Sequence, residues 1–121
     1  MAADFFDLAT ATTTVSGLKY IDTVVGTGEP PRPDQSVAVN YTGRLASDGK
    51  VFDSTTGRGP ATFGLTRVIP GFSEGILTMR PGGKRTVYIP AALAYGANPP
   101  PGSGIQANAD LIFEIELISV R

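Results

Sequence analysis

The sequence predicts an α+β fold in which a largely antiparallel sheet curls around one short helix. Three observations predict it. Phe72, Ile76 and Met79 recur at i, i+4 and i+7, which places them on one face of a helix. Elsewhere, short alternating segments are broken by fifteen glycines and ten prolines, a composition of strands and turns rather than of long helices. A helix this short is also not stable alone in water, so its apolar face needs cover, and the strands are the only cover the chain offers.

In chain order, residues 1–15 read as an N-terminal tail and residues 16–121 as one domain. Phe5, Phe6 and Leu8 precede an alanine and threonine run without a period, which favours a loosely attached terminus over one that these residues pin to the domain or to a second copy. Residues 17–26 carry Leu18, Tyr20, Thr23, Val24 and Val25, a strand composition. Pro30, Pro31 and Pro33 then enforce a loop, because proline cannot donate to a ladder. From Gln35 to Leu45 the chain alternates, with Val37, Val39 and Tyr41 on one face and Ala38, Asn40 and Thr42 on the other. Asp48-Gly49 supplies a hairpin turn, and Val51 to Ser54 is the returning strand. Ala61 to Leu65 is a short extended segment. Pro70 and Gly71 open the helix, and Pro81 with Gly82 and Gly83 ends it. Lys84 to Ile89 alternates again. Ala91 to Gly96 is a turn or a helical turn, and residues 97–108 form a proline-rich loop. In the last strand, Leu111, Phe113, Ile115 and Leu117 face the core while Glu114 and Glu116 face water.

Composition narrows the chemistry. The net charge is −1 with scattered cations, so there is no basic patch for nucleic acid. The chain has no cysteine and no histidine, which removes disulfides, Cys–His and Ser–His–Asp nucleophiles and most zinc sites. No metal or cofactor is called for. No apolar run is long enough to span a membrane, and no signal peptide is visible at the N-terminus. A cytoplasmic location fits the chain as it stands, and an extracytoplasmic one fits a chain whose leader was removed. Glu114 and Glu116 read as a solvated strand face rather than a glycosidase pair. Gly57-Arg58-Gly59 and Gly82-Gly83-Lys84 match neither phosphate-binding pattern.

The aromatics are more informative. Tyr41, Phe52, Phe63, Phe72, Tyr95 and Phe113 come from different elements. Residue types alone leave both a plain core and an aromatic ligand cup open. Asp53 follows Phe52 directly, so on a regular strand the two face opposite ways, and Asp53 can turn inward only where the strand ends.

Six stretches carry a resemblance: Val39 to Gly43 (VNYTG), Gly49 to Ser54 (GKVFDS), Val68 to Ile76 (VIPGFSEGI), Gly82 to Pro90 (GGKRTVYIP), Leu93 to Gly96 (LAYG) and Leu111 to Ile118 (LIFEIELI). In that order and spacing the chain resembles the FKBP-type peptidyl-prolyl cis-trans isomerases, the rapamycin-binding immunophilins, and most of all their bacterial single-domain members. The resemblance implies a twisted antiparallel sheet of five or six strands wrapped on a short helix. It implies an enzyme that accelerates rotation about Xaa-Pro bonds during protein folding, without covalent catalysis. It implies catalytic roles for Tyr41, Asp53, Ile69 and Tyr95, and substrate-binding roles for Phe52, Phe63, Val68, Phe72, Ile105 and Phe113. The expected partners are proline-containing polypeptides and macrolide inhibitors, and the expected state is a monomer. The alternative is a non-catalytic proline-peptide-binding or chaperone module on the same scaffold. Departures from the family pattern bear on substrate preference and macrolide affinity. Phe72 replaces the usual tryptophan floor, Ala61 replaces a phenylalanine of some members, and Gln106-Ala107 replaces two prolines.

Overall fold

The computed structural model describes residues 11–121. The expectation about Phe5, Phe6 and Leu8 lies outside them. Seven strands run β1 (Thr12–Thr13), β2 (Lys19–Val24), β3 (Ser36–Leu45), β4 (Val51–Ser54), β5 (Ala61–Gly64), β6 (Lys84–Ile89) and β7 (Leu111–Val120). The helix α1 (Pro70–Leu77) lies between β5 and β6, and a 3₁₀ turn (Ala91–Leu93) follows β6. Every pairing is antiparallel, in the spatial order β1-β2-β6-β7-β3-β4, and β5 also pairs with β3. Six strands of four residues or more make the body of the sheet, and the two-residue β1 adds a seventh at one edge. The architecture is therefore the expected antiparallel sheet with one short helix.

Helix α1 starts as its sequence dictates. Pro70 occupies the first turn, where a missing N–H costs nothing, and the Ile69 carbonyl accepts from the Phe72 and Ser73 amides at 3.1 and 3.2 Å. Phe72, Ile76 and Met79 are all buried, as their spacing requires. They join Val37, Val39, Val87, Ile89, Leu111, Phe113, Ile115 and Leu117 in one core between helix and sheet. Contact with β6 is close. A Cβ built on Gly71 would lie 2.3 Å from Ile89 Cγ2, so only glycine lets the helix lie this near the strand.

Two polar devices fix the helix. Arg85 projects from β6 on the same side as Val87 and Ile89 and is 5% exposed. A buried cation needs full pairing. Its guanidinium donates to both oxygens of Asp22 at 2.6 and 3.1 Å, to the Gly75 carbonyl at 2.9 Å and to Thr78 Oγ1 at 2.5 Å. It also lies 4.0 Å from the centre of the Tyr20 ring. The Gly75 carbonyl is in the last turn of α1, so this cation caps the negative end of the helix from outside it. At the other side, the Thr14 and Ser16 hydroxyls donate to the Glu74 carboxylate at 2.7 and 2.6 Å, which straps the segment before β2 to α1. A small second cluster, Ile112 with Ala46, packs with Ala11, Ile21 and Tyr88 on the opposite face of the sheet. No helix among the described residues is long and apolar enough to cross a membrane.

Candidate functional site

A cavity of about 270 Å³ opens where α1, β3, β4, β5 and β7 meet. Its walls are Tyr41, Phe52, Asp53, Phe63, Arg67, Val68, Ile69, Phe72, Tyr95 and Phe113. Nine of the ten residues singled out in the sequence are therefore brought together. Ile105 is not among the lining residues, although it packs on the same core. Arg67 also lines the cavity, a position the sequence motifs do not single out.

Phe72 is the floor. Three rings meet it edge-on: Tyr41 at 5.9 Å and 83°, Phe63 at 5.8 Å and 75°, and Phe113 at 5.2 Å and 82°. Edge-to-face contacts let ring hydrogens meet neighbouring π faces, so the cluster holds its shape without filling the centre. Phe52 meets Phe113 at 5.6 Å and 87°, and extends the wall.

The register of β4 explains how Phe52 and Asp53 reach one cavity. Gly43 pairs with Asp53 and Arg44 with Val51, so Phe52 is the residue skipped by a β-bulge. A bulge breaks the two-residue alternation and re-aims the side chain. Gly43 makes room for the result. A Cβ there would sit 2.7 Å from Phe52 Cζ and 2.9 Å from Phe113 Cε2.

The polar rim is built from few groups. The Tyr41 hydroxyl donates to Asp53 Oδ2 at 2.5 Å. Asp53 Oδ1 accepts from the Ser54 amide at 2.9 Å and from Arg58 Nη2 at 3.1 Å, and Arg58 also donates to the Ser54 carbonyl. Burial pushes the Tyr41 phenol up to about 12, with the Asp53 hydrogen bond and charge adding to it, so the hydroxyl is a donor at neutral pH. Two donors are left over. Among the described residues neither the Ile69 N–H nor the Tyr95 hydroxyl has a partner. Tyr95 is carried by the turn after β6, which Asp110 holds by accepting from the Ala91 amide at 2.9 Å and the Tyr88 hydroxyl at 2.8 Å.

A larger, open depression of about 610 Å³ lies over the other face of the sheet, beside Asn40, Thr42, Thr86, Glu114 and Glu116. Threonines and charged side chains dominate its walls, and it lacks the ring cluster. Among the described residues no three His, Cys, Asp or Glu side chains converge on a metal position.

The model of the family described as FKBP-type peptidyl-prolyl cis-trans isomerase matches residues 27–118. The chain belongs to that family. Among relatives of this FKBP-type chain, the probable FKBP-type peptidyl-prolyl cis-trans isomerase FkpA of Neisseria meningitidis is 46% identical over 112 residues, covering 89% of this chain and 39% of the relative. The peptidyl-prolyl cis-trans isomerase Mip of Coxiella burnetii is 46% identical over 110 residues, covering 90% of this chain and 47% of the relative. The crystal structure of FkpA from Escherichia coli superposes with a TM-score of 0.87 at 39% identity, covering 97% of this chain and 54% of that one. That of AtFKBP13 gives 0.83 at 38%, covering 92% and 98%. The FKBP-type chain spans less than half the length of these curated relatives.

Proposed function

We propose that this protein is a peptidyl-prolyl cis-trans isomerase that turns Xaa-Pro bonds in polypeptides, and that the aromatic cavity is where it does so. The observation that carries the reading is the pair of unpartnered donors, the Ile69 N–H and the Tyr95 hydroxyl, beside a cavity otherwise walled by rings. Family membership and the isomerase names of its relatives support it.

Rotation about a peptide C–N bond faces a barrier of roughly 18–20 kcal/mol, because amide resonance must be lost. At Xaa-Pro the isomers differ by only about 0.5–1 kcal/mol, so both are populated and exchange slowly. No bond breaks, and no nucleophile, base or cofactor is needed. The planar amide is the more charge-separated form and the twisted one is less polar. An apolar cavity from which water is expelled therefore disfavours the planar ground state relative to the twisted transition state. In this reading the proline ring rests on Phe72, between Tyr41, Phe52, Phe63, Val68 and Phe113. The carbonyl preceding proline accepts from the Ile69 N–H and the Tyr95 hydroxyl. Asp53 holds the Tyr41 hydroxyl in place and keeps the rim polar. Lowering the barrier by about 5 kcal/mol gives several thousandfold, which packing and two hydrogen bonds can supply. Ile105 would contact the flanking peptide rather than the proline. The same cavity would admit macrolide inhibitors, and the protein would act as a monomer.

The test is two-dimensional NMR exchange on a short Xaa-Pro peptide with catalytic amounts of protein. Accelerated exchange is expected, blocked by rapamycin, with Asp53→Ala at least tenfold slower. Tyr95→Phe keeps the ring and loses one hydroxyl worth about 1–2 kcal/mol, so it should be about fivefold to thirtyfold slower at unchanged stability. Peptide binding without exchange would leave a proline-peptide-binding or chaperone module instead.

A further inference from the structure

We propose that Arg67 makes the cavity selective for segments with a carboxylate side chain immediately before the proline, Glu-Pro or Asp-Pro, over Lys-Pro or Arg-Pro. The inference rests on the isomerase reading above and names the substrate class of the same cavity.

Among the described residues, Arg67 and Asp53 are the only charged ones lining the cavity. Asp53 is already satisfied by the Tyr41 hydroxyl, the Ser54 amide and the Arg58 guanidinium. Arg67 is not satisfied. Arg32, Arg44, Arg58, Arg80 and Arg85 each have a side-chain ion pair or hydrogen bond. The Arg67 guanidinium has neither among the described residues. Asp53 is already paired with Arg58, so Arg67 is the lining charge left to meet a ligand.

The position of this charge selects the residue it reads. The Arg67 amide donates to the Gly64 carbonyl at 2.9 Å, closing a turn between β5 and Val68. Its stem passes Gly64, since a Cβ built there would lie 3.9 Å from Arg67 Cδ. The chain then runs through Val68 to the Ile69 N–H, at most about 7 Å further on. If that N–H takes the carbonyl of the residue before proline, the side chain of that same residue lies within reach of the guanidinium. A guanidinium is weakly hydrated and presents a fork that matches a carboxylate in two parallel hydrogen bonds. It repels an ammonium in the same place.

Because Arg67 is exposed, the effect is modest and screened by salt. At low ionic strength the kcat/KM for an Ala-Glu-Pro peptide should exceed that for Ala-Lys-Pro by about threefold to fivefold, the size of an exposed ion pair. The ratio should fall to about one in Arg67→Gln, invert in Arg67→Glu, and shrink in wild type at 0.5 M salt. Thermal melts of both variants check that they fold. An unchanged ratio across the three proteins would overturn the inference while leaving the isomerase reading intact. If wild type turns over none of the peptides, that reading has failed, and the ratio of peptide Kd values in the same three proteins then decides the charge preference on its own.

Discussion

Gly43→Ala is the sharpest perturbation of the cavity, because it adds one methyl between two of its walls. The new Cβ would sit 2.7 Å from Phe52 Cζ and 2.9 Å from Phe113 Cε2, where carbon atoms prefer about 3.5–4.0 Å, so a ring must withdraw by about 1 Å. Phe113 cannot, since it is 5% exposed and meets Phe72 at 5.2 Å and Tyr41 at 6.0 Å. Phe52 is half-buried and must swing outward. Overpacking of this kind costs about 1–3 kcal/mol. Alanine also recovers about 0.4–1 kcal/mol by restricting the unfolded chain, since Gly43 is not at a positive φ. The net loss is about 1–2 kcal/mol, which at this chain length lowers Tm by about 4–8 °C. A wall displaced by about 1 Å should slow prolyl exchange roughly tenfold or more. Calorimetry and the NMR exchange assay read the two effects separately. A Tm at or above wild type with unchanged exchange would refute the reasoning, because it would mean the rings give way freely.

Arg85→Met leaves the Gly75 carbonyl and the Thr78 hydroxyl without their donor and Asp22 without its cation. Asp22 keeps a third of its side-chain surface in water, so the loss should lie near the low end for a broken buried pair, about 3 kcal/mol or about 12 °C in Tm. Urea denaturation showing less than about 1 kcal/mol would mean the guanidinium is replaceable by apolar packing. Stability should also fall in alkali. Burial first, then hydrogen bonds to Asp53 and Asp110, push the Tyr41 and Tyr88 phenols up to about 12. The folded state therefore prefers both protonated, and this stability is present below pH 10 and lost as pH rises from 10 towards 12. Urea midpoints across that window should drop in wild type and drop less in Tyr88→Phe. Identical profiles would show that Tyr88 does not contribute.

Local pattern carried much of this molecule. The bounds of β6 and the buried face of Phe72, Ile76 and Met79 follow from spacing alone, because helix and strand periods depend on near neighbours. What escaped depends on distant partners. The β4 bulge that turns Phe52 and Asp53 into one cavity arises in pairing with β3, and nothing in Val51-Phe52-Asp53-Ser54 announces it. Arg85 was legible as sharing a face with Val87 and Ile89, but its partners Asp22, Gly75 and Thr78 come from two other elements. Thr12–Thr13 has too little length to show a period, and becomes a strand only against Tyr20 and Lys19. Ile112 interrupts the simple division of β7 into core and water faces, because Ala46, Ile21 and Tyr88 cover it from the far side. Arg67 could have been noticed as a cation directly ahead of the Val68-Ile69 entry to the helix.

The strand order sets a constraint on assembly. β7 follows the other described strands in chain order, yet it lies between β6 and β3, pairing Arg85 with Ile115 on one side and Tyr41 with Ile115 on the other. Until β7 emerges, the β1-β2-β6 ribbon and the β3-β4-β5 group have no common neighbour, and each presents an unpaired edge. Folding must then wait on a contact as distant as Val37 with Val120, a topology that favours slow, late closure. A nascent chain of this protein is accordingly exposed to edge-to-edge association until β7 slots into the middle of the sheet.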